Sequence, residues 1–191
     1  MMEEEVFDIS NKEAGFFVIA GVLGLVILMV IIFGLVTRYL SKQEPKSLAE
    51  LFTRTNFNFD NGKYKNNISM LLDYLRNLEI NPTRHYEFGA VFALIAKNHL
   101  KLDHPAEAFY FSKVSEHYYG LFNVVVDAND ETSTLIGNLR LENEKNDTQA
   151  GLLLTPVRQN EIVAKITSKQ SRGNIVSSND WLSSAPVSDF A

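Results

Sequence analysis

The stretch RHYEFGAVFALIAKNHLKLDHPAEAFYFSKVSEHYYG, residues 84–120, predicts two helices separated by one break. Apolar residues recur at helical spacing from Phe88 to Leu100, and the Asp-His-Pro triplet at 103–105 interrupts this pattern. Asp103 can cap the second helix. Pro105 then falls in the first turn of that helix, where proline is tolerated. Gly120 is typical of the position just after a helix ends. The stretch therefore predicts a helical hairpin.

A second helical pair is predicted immediately before this hairpin. Ser47 and Glu50 have the spacing of a capping box, which predicts a helix start. Residues 60–62 (Asp-Asn-Gly) are a turn signal. The following helix is predicted to end before Pro82. Its apolar residues lie on one face: Ile68, Leu71, Leu72, Leu75 and Leu78. Residues 47–120 are thus predicted to form a domain of four helices.

The hairpin core, IAKNHLKLDHPAEAF at residues 95–109, resembles a tetratricopeptide repeat. In that family small residues recur where the two helices of a repeat cross, and Ala96, Ala108 and Ser115 stand at those places. Residues 61–64 and 78–82 are similar to the family's turn and closing segment. The resemblance implies a helical-repeat domain that binds protein partners.

The spacing of the two hairpins differs from the family's repeat. Gly62 and Asp103, the matching turn positions, lie 41 residues apart, whereas a tetratricopeptide repeat has about 34 residues. Thr55, Asn67 and Tyr74 occupy the crossing positions of the first hairpin. A different small helical bundle is therefore the alternative to a repeat domain.

Residues 14–37 form a run of 24 residues without a charged side chain. As a helix they would measure about 36 Å, enough for a hydrocarbon core of about 30 Å. The run therefore predicts a transmembrane helix, between an acidic segment at 1–13 and a linker at 38–46. Ala20 and Gly24, four residues apart, are candidate positions for close helix packing in the membrane; ordinary glycine content of such a helix is the alternative.

The charges that flank this run predict its orientation. Lys12 is the only basic residue before it, whereas Arg38, Lys42 and Lys46 follow it. Because basic residues stay inside, we expect the N-terminus outside and the C-terminal domain on the cytoplasmic or matrix-equivalent side. The sequence does not identify the membrane.

Residues 121–191 are predicted to be an extended, mostly irregular tail with short apolar anchors that dock on partners. Aromatic residues are dense from residue 109 to residue 122, and consecutive aromatics cannot all face one core. A partner-binding surface is therefore predicted, with partial burial in a core as the alternative. Its candidate residues are Tyr110, Phe111, Tyr118, Tyr119, Phe122 and, in the tail, Trp181.

Composition and motifs favour a protein without catalytic activity. The net charge of −5 argues against nucleic acid as the main partner, and there is no cysteine. No phosphate loop, dinucleotide turn or paired-histidine motif occurs. His99 and His104 lie five apart across a helix break, which is not ligand spacing. We expect no catalytic residues, no metal, no cofactor and no small-molecule substrate.

Two functions are compatible with these features. The first is an accessory, structural or assembly subunit of a membrane protein complex, whose partners are other proteins of the complex and the lipid bilayer. The second is a membrane-anchored receptor or adaptor that holds client proteins, for example in protein import or assembly. An enzyme is the least favoured class, since no catalytic constellation can be named.

Overall fold

A computed structural model describes residues 22–32, 45, 47–78, 84–121, 131–170 and 177–186. The chain divides into two compact units, Met1–Glu44 and Pro45–Ala191. In the first unit, residues 22–32 form helix α1. The second unit contains α2 (Leu48–Asp60), α3 (Tyr64–Asn77), α4 (His85–Lys101), α5 (Pro105–Leu121), α6 (Glu131–Leu152), α7 (Pro156–Gln170) and α8 (Ser178–Leu182). The described residues form no strand, which confirms the all-α prediction for them.

Helix α4 lies at the centre of the second unit. All nine residues from Phe88 to Ala96 are buried, so the helix is covered on every side. Its neighbours are α3, α5 and α6, and its contact with α5 is the most extensive in this unit. A helix that is apolar all round is stable only when it is enclosed in this way. The predicted hairpin of residues 84–120 is therefore the core of the fold.

The turn between α4 and α5 differs from its prediction. Asp103 does not cap α5; its φ of 60° places it in the left-handed region at the end of α4. Its N–H donates to the carbonyl of Leu100, and the N–H of His104 donates to that of His99. This is the Schellman arrangement, in which a left-handed residue closes a helix. Asp103 thus terminates the first helix of the hairpin.

The predicted irregular tail over residues 121–191 is wrong, because this region contains three helices. Helix α6 lies across α4 and α5, and α7 packs against α5. The buried face of α6 has regular helical spacing, but asparagine interrupts its apolar pattern; that face comprises Ile136, Leu139, Asn143, Asn146 and Ala150. A pattern search for apolar residues alone therefore misses the longest helix of this unit.

The predicted fold is also wrong about its membrane anchor. Among the described residues, no helix combines the length and the apolar character that crossing a membrane requires. The described part of the predicted span at 14–37 is α1, whose eleven residues measure about 16 Å. Residues 1–13, most of the linker at 38–46 and the remainder of the predicted span lie outside the described residues. The orientation inferred from the flanking charges stays a prediction.

Candidate functional site

A cleft of about 460 Å³ opens where the first turns of α2 and α4 come together. Helix α2 begins at its predicted N-cap, Ser47, whose Oγ accepts a hydrogen bond of 3.2 Å from the N–H of Glu50. The lining is partly apolar, and Tyr74, Arg84 and Glu87 form what we call its polar wall. It is lined by Ser47, Leu48, Ala49, Phe52, Thr53, Tyr74, Arg84, Tyr86, Glu87 and Leu135.

The polar wall is organised around the carboxylate of Glu87, whose side chain is only 8% exposed. Arg84 Nε donates to Oε1 at 2.7 Å, and Arg84 Nη2 donates to Oε2 at 2.8 Å. The hydroxyl of Tyr74 donates to Oε2 at 2.8 Å. A guanidinium that grips both oxygens of a carboxylate fixes the geometry of both side chains. This network joins α3 to the start of α4.

The charges of this network are fixed at neutral pH. Burial raises the pKa of Glu87, but the hydrogen bonds from Arg84 and Tyr74 outweigh it, so this pKa lies below its usual range. Burial and the Glu87 carboxylate both raise the pKa of Tyr74. The hydrogen bond to Glu87 raises the pKa of Arg84. None of the three groups exchanges its proton near pH 7, so the network suits binding better than acid–base chemistry.

A buried amide network ties α2, α3 and α4 together. Asn67 Nδ2 donates to the carbonyl of Thr55 at 2.9 Å and to Asn98 Oδ1 at 3.2 Å. Asn98 Nδ2 in turn donates to the carbonyl of Leu94 at 2.8 Å. Both asparagines are fully buried. These bonds hold three helices in register, because a buried amide without partners is costly.

The histidines of the hairpin pack as aromatic rings. The ring centroids of His99 and His104 are 5.7 Å apart, and His99 stacks on Phe111 at 5.4 Å. Burial, followed by the charge of His104, lowers the pKa of His99 to about 4. In the described part of the chain, no three histidine, aspartate or glutamate side chains are placed to hold a metal ion.

The predicted aromatic surface is buried by the chain itself. Tyr110, Phe111, Tyr118 and Tyr119 are each at most 3% exposed. Helix α5 contacts α4, α6 and α7, so consecutive aromatic residues on different faces of α5 are all buried. The prediction of an exposed patch is wrong for these four residues, because α4, α6, α7 and α8 all pack around α5.

The other predicted site residues have different positions. Trp181 is fully buried, with its indole N–H donating to the Tyr118 oxygen at 3.2 Å. Phe122 and Ala20 lie outside the described residues. Gly24 lies in α1, and a Cβ built there meets no heavy atom within 4 Å. Helix packing at Gly24 therefore stays a prediction.

Sequence reasoning did not single out the residues of the cleft. Arg84 and Glu87 are three residues apart at a helix start, a spacing that predicts a local ion pair. The contribution of Tyr74 has no such local signal, because it comes from the preceding helix. The polar wall therefore depends on how α3 packs against α4. Comparison of the chain with protein-family models, curated proteins and solved structures finds no match.

Proposed function

We propose that this protein is a non-catalytic, membrane-associated subunit that supports the assembly of a protein complex. The observation that carries the proposal is the surface of α1. Its ten large apolar side chains from Val22 to Ile32 are each 50–66% exposed, and they cover every face of the helix. Exposed apolar surface of this kind marks contact with a membrane or with other proteins.

Lipid is the surrounding that fits α1 best. Its side chains face in all directions, whereas a single partner protein would cover only one side of a helix. The helix lies within a run, residues 14–37, that has no charged side chain. Hydrocarbon accepts a helix because the backbone satisfies its own hydrogen bonds. The proposal therefore assigns α1 to contact with the apolar part of a membrane without spanning it, and the partner proteins to the second unit.

A further apolar surface supports a role in assembly. At the corner between α6 and α7, Leu152, Leu153 and Val157 are 83%, 59% and 68% exposed. They lie in or beside the turn of three residues, 153–155, that joins the two helices. A subunit that is packed into a complex would remove this surface from water.

The experiment compares membrane binding and native size of the full chain with those of an α1 variant. Leu25→Lys together with Leu28→Lys removes about 2 kcal/mol of apolar burial per site and adds the cost of placing ammonium groups in hydrocarbon. The matched control, Leu25→Ile with Leu28→Ile, keeps the apolar surface. We expect the wild type and the control to float with lipid vesicles in a density gradient, and the lysine variant to stay at the bottom with the unbound protein.

Native-size separation with mass spectrometry tests the assembly role. We expect the gently solubilised wild type to migrate in a large particle with a constant set of companion proteins. A chain that migrates alone would contradict the subunit role, and a lysine variant that stays with the membrane would contradict the assignment of lipid to α1.

The cleft between α2 and α4 favours a second candidate, a receptor or adaptor for client proteins. Its volume of about 460 Å³ accommodates side chains of a bound segment, and its lining combines the apolar ring of Phe52 with the charged Arg84. Phe52→Asp should then abolish capture of clients and leave membrane binding unchanged. In a structural subunit the same change would leave the companion proteins in place.

A further inference from the structure

Helix α8 inserts one side chain into the second unit. Trp181 is fully buried, whereas its neighbours Asn179 and Asp180 are exposed. The indole N–H of Trp181 donates to the Tyr118 oxygen at 3.2 Å, and the Tyr110 hydroxyl donates to the carbonyl of Trp181 at 2.8 Å. Helix α8 is thus held on α5 through both the side chain and the backbone of one residue.

Two further groups complete the site around the indole, which we call the Trp181 socket. The ring of His117 lies 5.7 Å from the indole, measured between centroids. The ammonium of Lys169, at the end of α7, lies 5.8 Å from the indole centroid and donates to the carbonyl of Asp180. A cation over an indole face is attractive. The socket therefore contains Tyr110, His117 and Tyr118 of α5 and Lys169 of α7, and α8 also contacts α3.

The inserted segment has a local structure of its own. Ser177 Oγ accepts a hydrogen bond of 3.2 Å from the N–H of Asp180, and Asp180 Oδ2 accepts one of 3.2 Å from the N–H of Ser177. This reciprocal pair is a capping box, which starts the single turn of α8. A helix of five residues is not stable alone in water, so its order depends on docking.

We infer that the Trp181 socket is a peptide-recognition site and that residues 177–186 of the same chain are its releasable ligand. A central tryptophan in a desolvated pocket, surrounded by exposed polar neighbours, is the arrangement that dominates binding energy at protein–peptide contacts. The recognised chemistry is a short helical turn that presents an indole N–H donor and a backbone carbonyl acceptor. Release of the segment exposes Tyr110 and Tyr118, and this inference is independent of the proposed function.

The first experiment uses intrinsic fluorescence, because Trp181 is the only tryptophan. Urea is titrated into the full chain in a mild detergent, with emission and helical circular dichroism recorded on the same samples. We expect the emission to shift to the red at a lower urea concentration than the loss of helicity, because the segment undocks before the other helices unfold. Coincident transitions would overturn the inference, since Trp181 would then be an inseparable part of the core.

The second experiment measures binding of a fluorescein-labelled peptide of residues 174–186 to the full chain by anisotropy. In the Trp181→Ala variant the socket is vacated, so we expect the peptide to bind at least tenfold more tightly than to the wild type. Adding Tyr110→Phe to that variant should weaken binding about fivefold, because one hydrogen bond is lost.

The control is the same peptide carrying Trp181→Ala, which should not bind measurably. Equal binding of the labelled peptide to wild type and to the Trp181→Ala chain would overturn the inference, as would equal binding of the control peptide. A Trp181→Ala chain without its helical signal would also overturn it.

Discussion

Gly62 and Asp103 occupy the same position in the turns that join α2 to α3 and α4 to α5. Their φ angles are 69° and 60°, and each stands just after the end of a helix. In both turns the N–H of the following residue donates to the carbonyl five positions back, at 2.8 Å after Gly62 and 3.0 Å after Asp103. The turns before α3 and α5 therefore have one construction, although glycine stands in the first and aspartate in the second.

Asp103→Gly should stabilise the protein. A left-handed conformation costs an L-residue about 1 kcal/mol, and glycine adopts it without that cost. Allowing for the greater freedom of glycine in the unfolded chain, we expect a gain of about 0.5 kcal/mol in the free energy of unfolding. Urea unfolding followed by circular dichroism measures it.

The reciprocal change, Gly62→Ala, is the control for that prediction. A Cβ at this position meets no heavy atom within 4 Å, so only backbone strain acts, and we expect a loss of about 1 kcal/mol. If both substitutions move the stability in the same direction, the shared turn geometry does not control it.

The central hairpin could be predicted from the sequence because its signals are local. The apolar run from Phe88 to Ala96 and the Asp-His-Pro break lie within one stretch of chain. Helix α6 could not be predicted in this way, because Asn143 and Asn146 stand at buried positions. Asn143 is accommodated by donating from Nδ2 to the carbonyl of Ser112 on α5 at 3.1 Å, a partner that only the folded chain provides.

The candidate site was still less visible in the sequence. A helical spacing relates Arg84 to Glu87, but Tyr74 reaches the same carboxylate from another helix. The aromatic residues of α5 were predicted to be exposed, and this prediction fails for a related reason. Tyr110 and Trp181 are 71 residues apart in the chain and form a hydrogen bond of 2.8 Å. Contacts of this sequence separation have no local pattern, so residues that would be exposed on an isolated hairpin are buried in the complete fold.

Gly89→Ala should destabilise the crossing of α4 and α5. The hydroxyl of Ser115 donates to the carbonyl of Gly89 at 2.7 Å, which holds the two backbones close together. An added Cβ would lie 3.0 Å from Cδ1 and Cε1 of Tyr119, a side chain that is 3% exposed and so cannot move aside. Overpacking costs about 2 kcal/mol, and the helical preference of alanine returns about 1 kcal/mol. We expect a net loss of about 1 kcal/mol in thermal or urea unfolding.

Gly120→Ala is the matched control on α5. A Cβ there meets no heavy atom within 4 Å, so the substitution should be neutral or slightly stabilising. Equal effects of Gly89→Ala and Gly120→Ala would show that close approach at Gly89 does not limit the packing.

Glu87→Gln should weaken the fold above the ordinary pKa of a carboxyl group. The folded-state pKa of Glu87 is lowered, so its stabilisation is present above the unfolded pKa and is lost as the pH falls through the folded value. Loss of charged hydrogen bonds from Arg84 and Tyr74 should cost about 2 kcal/mol at pH 7. The difference from wild type should shrink below about pH 4, and denaturant unfolding at several pH values measures it.

Asp73→Asn is the control for Glu87→Gln. Asp73 pairs with Arg76 at 2.9 Å, but both side chains are more than half exposed. Exposed pairs contribute less than about 1 kcal/mol, so this variant should lose only a few tenths. A loss as large as that of Glu87→Gln would contradict the role of burial.

His99→Leu should remove part of the acid sensitivity of the fold. Burial and the charge of His104 lower the pKa of His99 from 6.5 to about 4. A histidine with a lowered folded-state pKa stabilises the fold above the unfolded pKa, and this stabilisation is lost as the pH falls from 6.5 towards 4. Between pH 7 and pH 5 the wild type should lose about 2 kcal/mol through this residue, and His99→Leu should lose correspondingly less over the same interval.

His104→Gln is the control for His99→Leu. It removes the charge of His104, the smaller cause of the lowered His99 pKa, and leaves His99 buried. Most of the pH dependence of stability should therefore persist. Equal pH dependence of stability in wild type and His99→Leu would contradict the prediction, because protonation of His99 would then contribute nothing to the acid sensitivity.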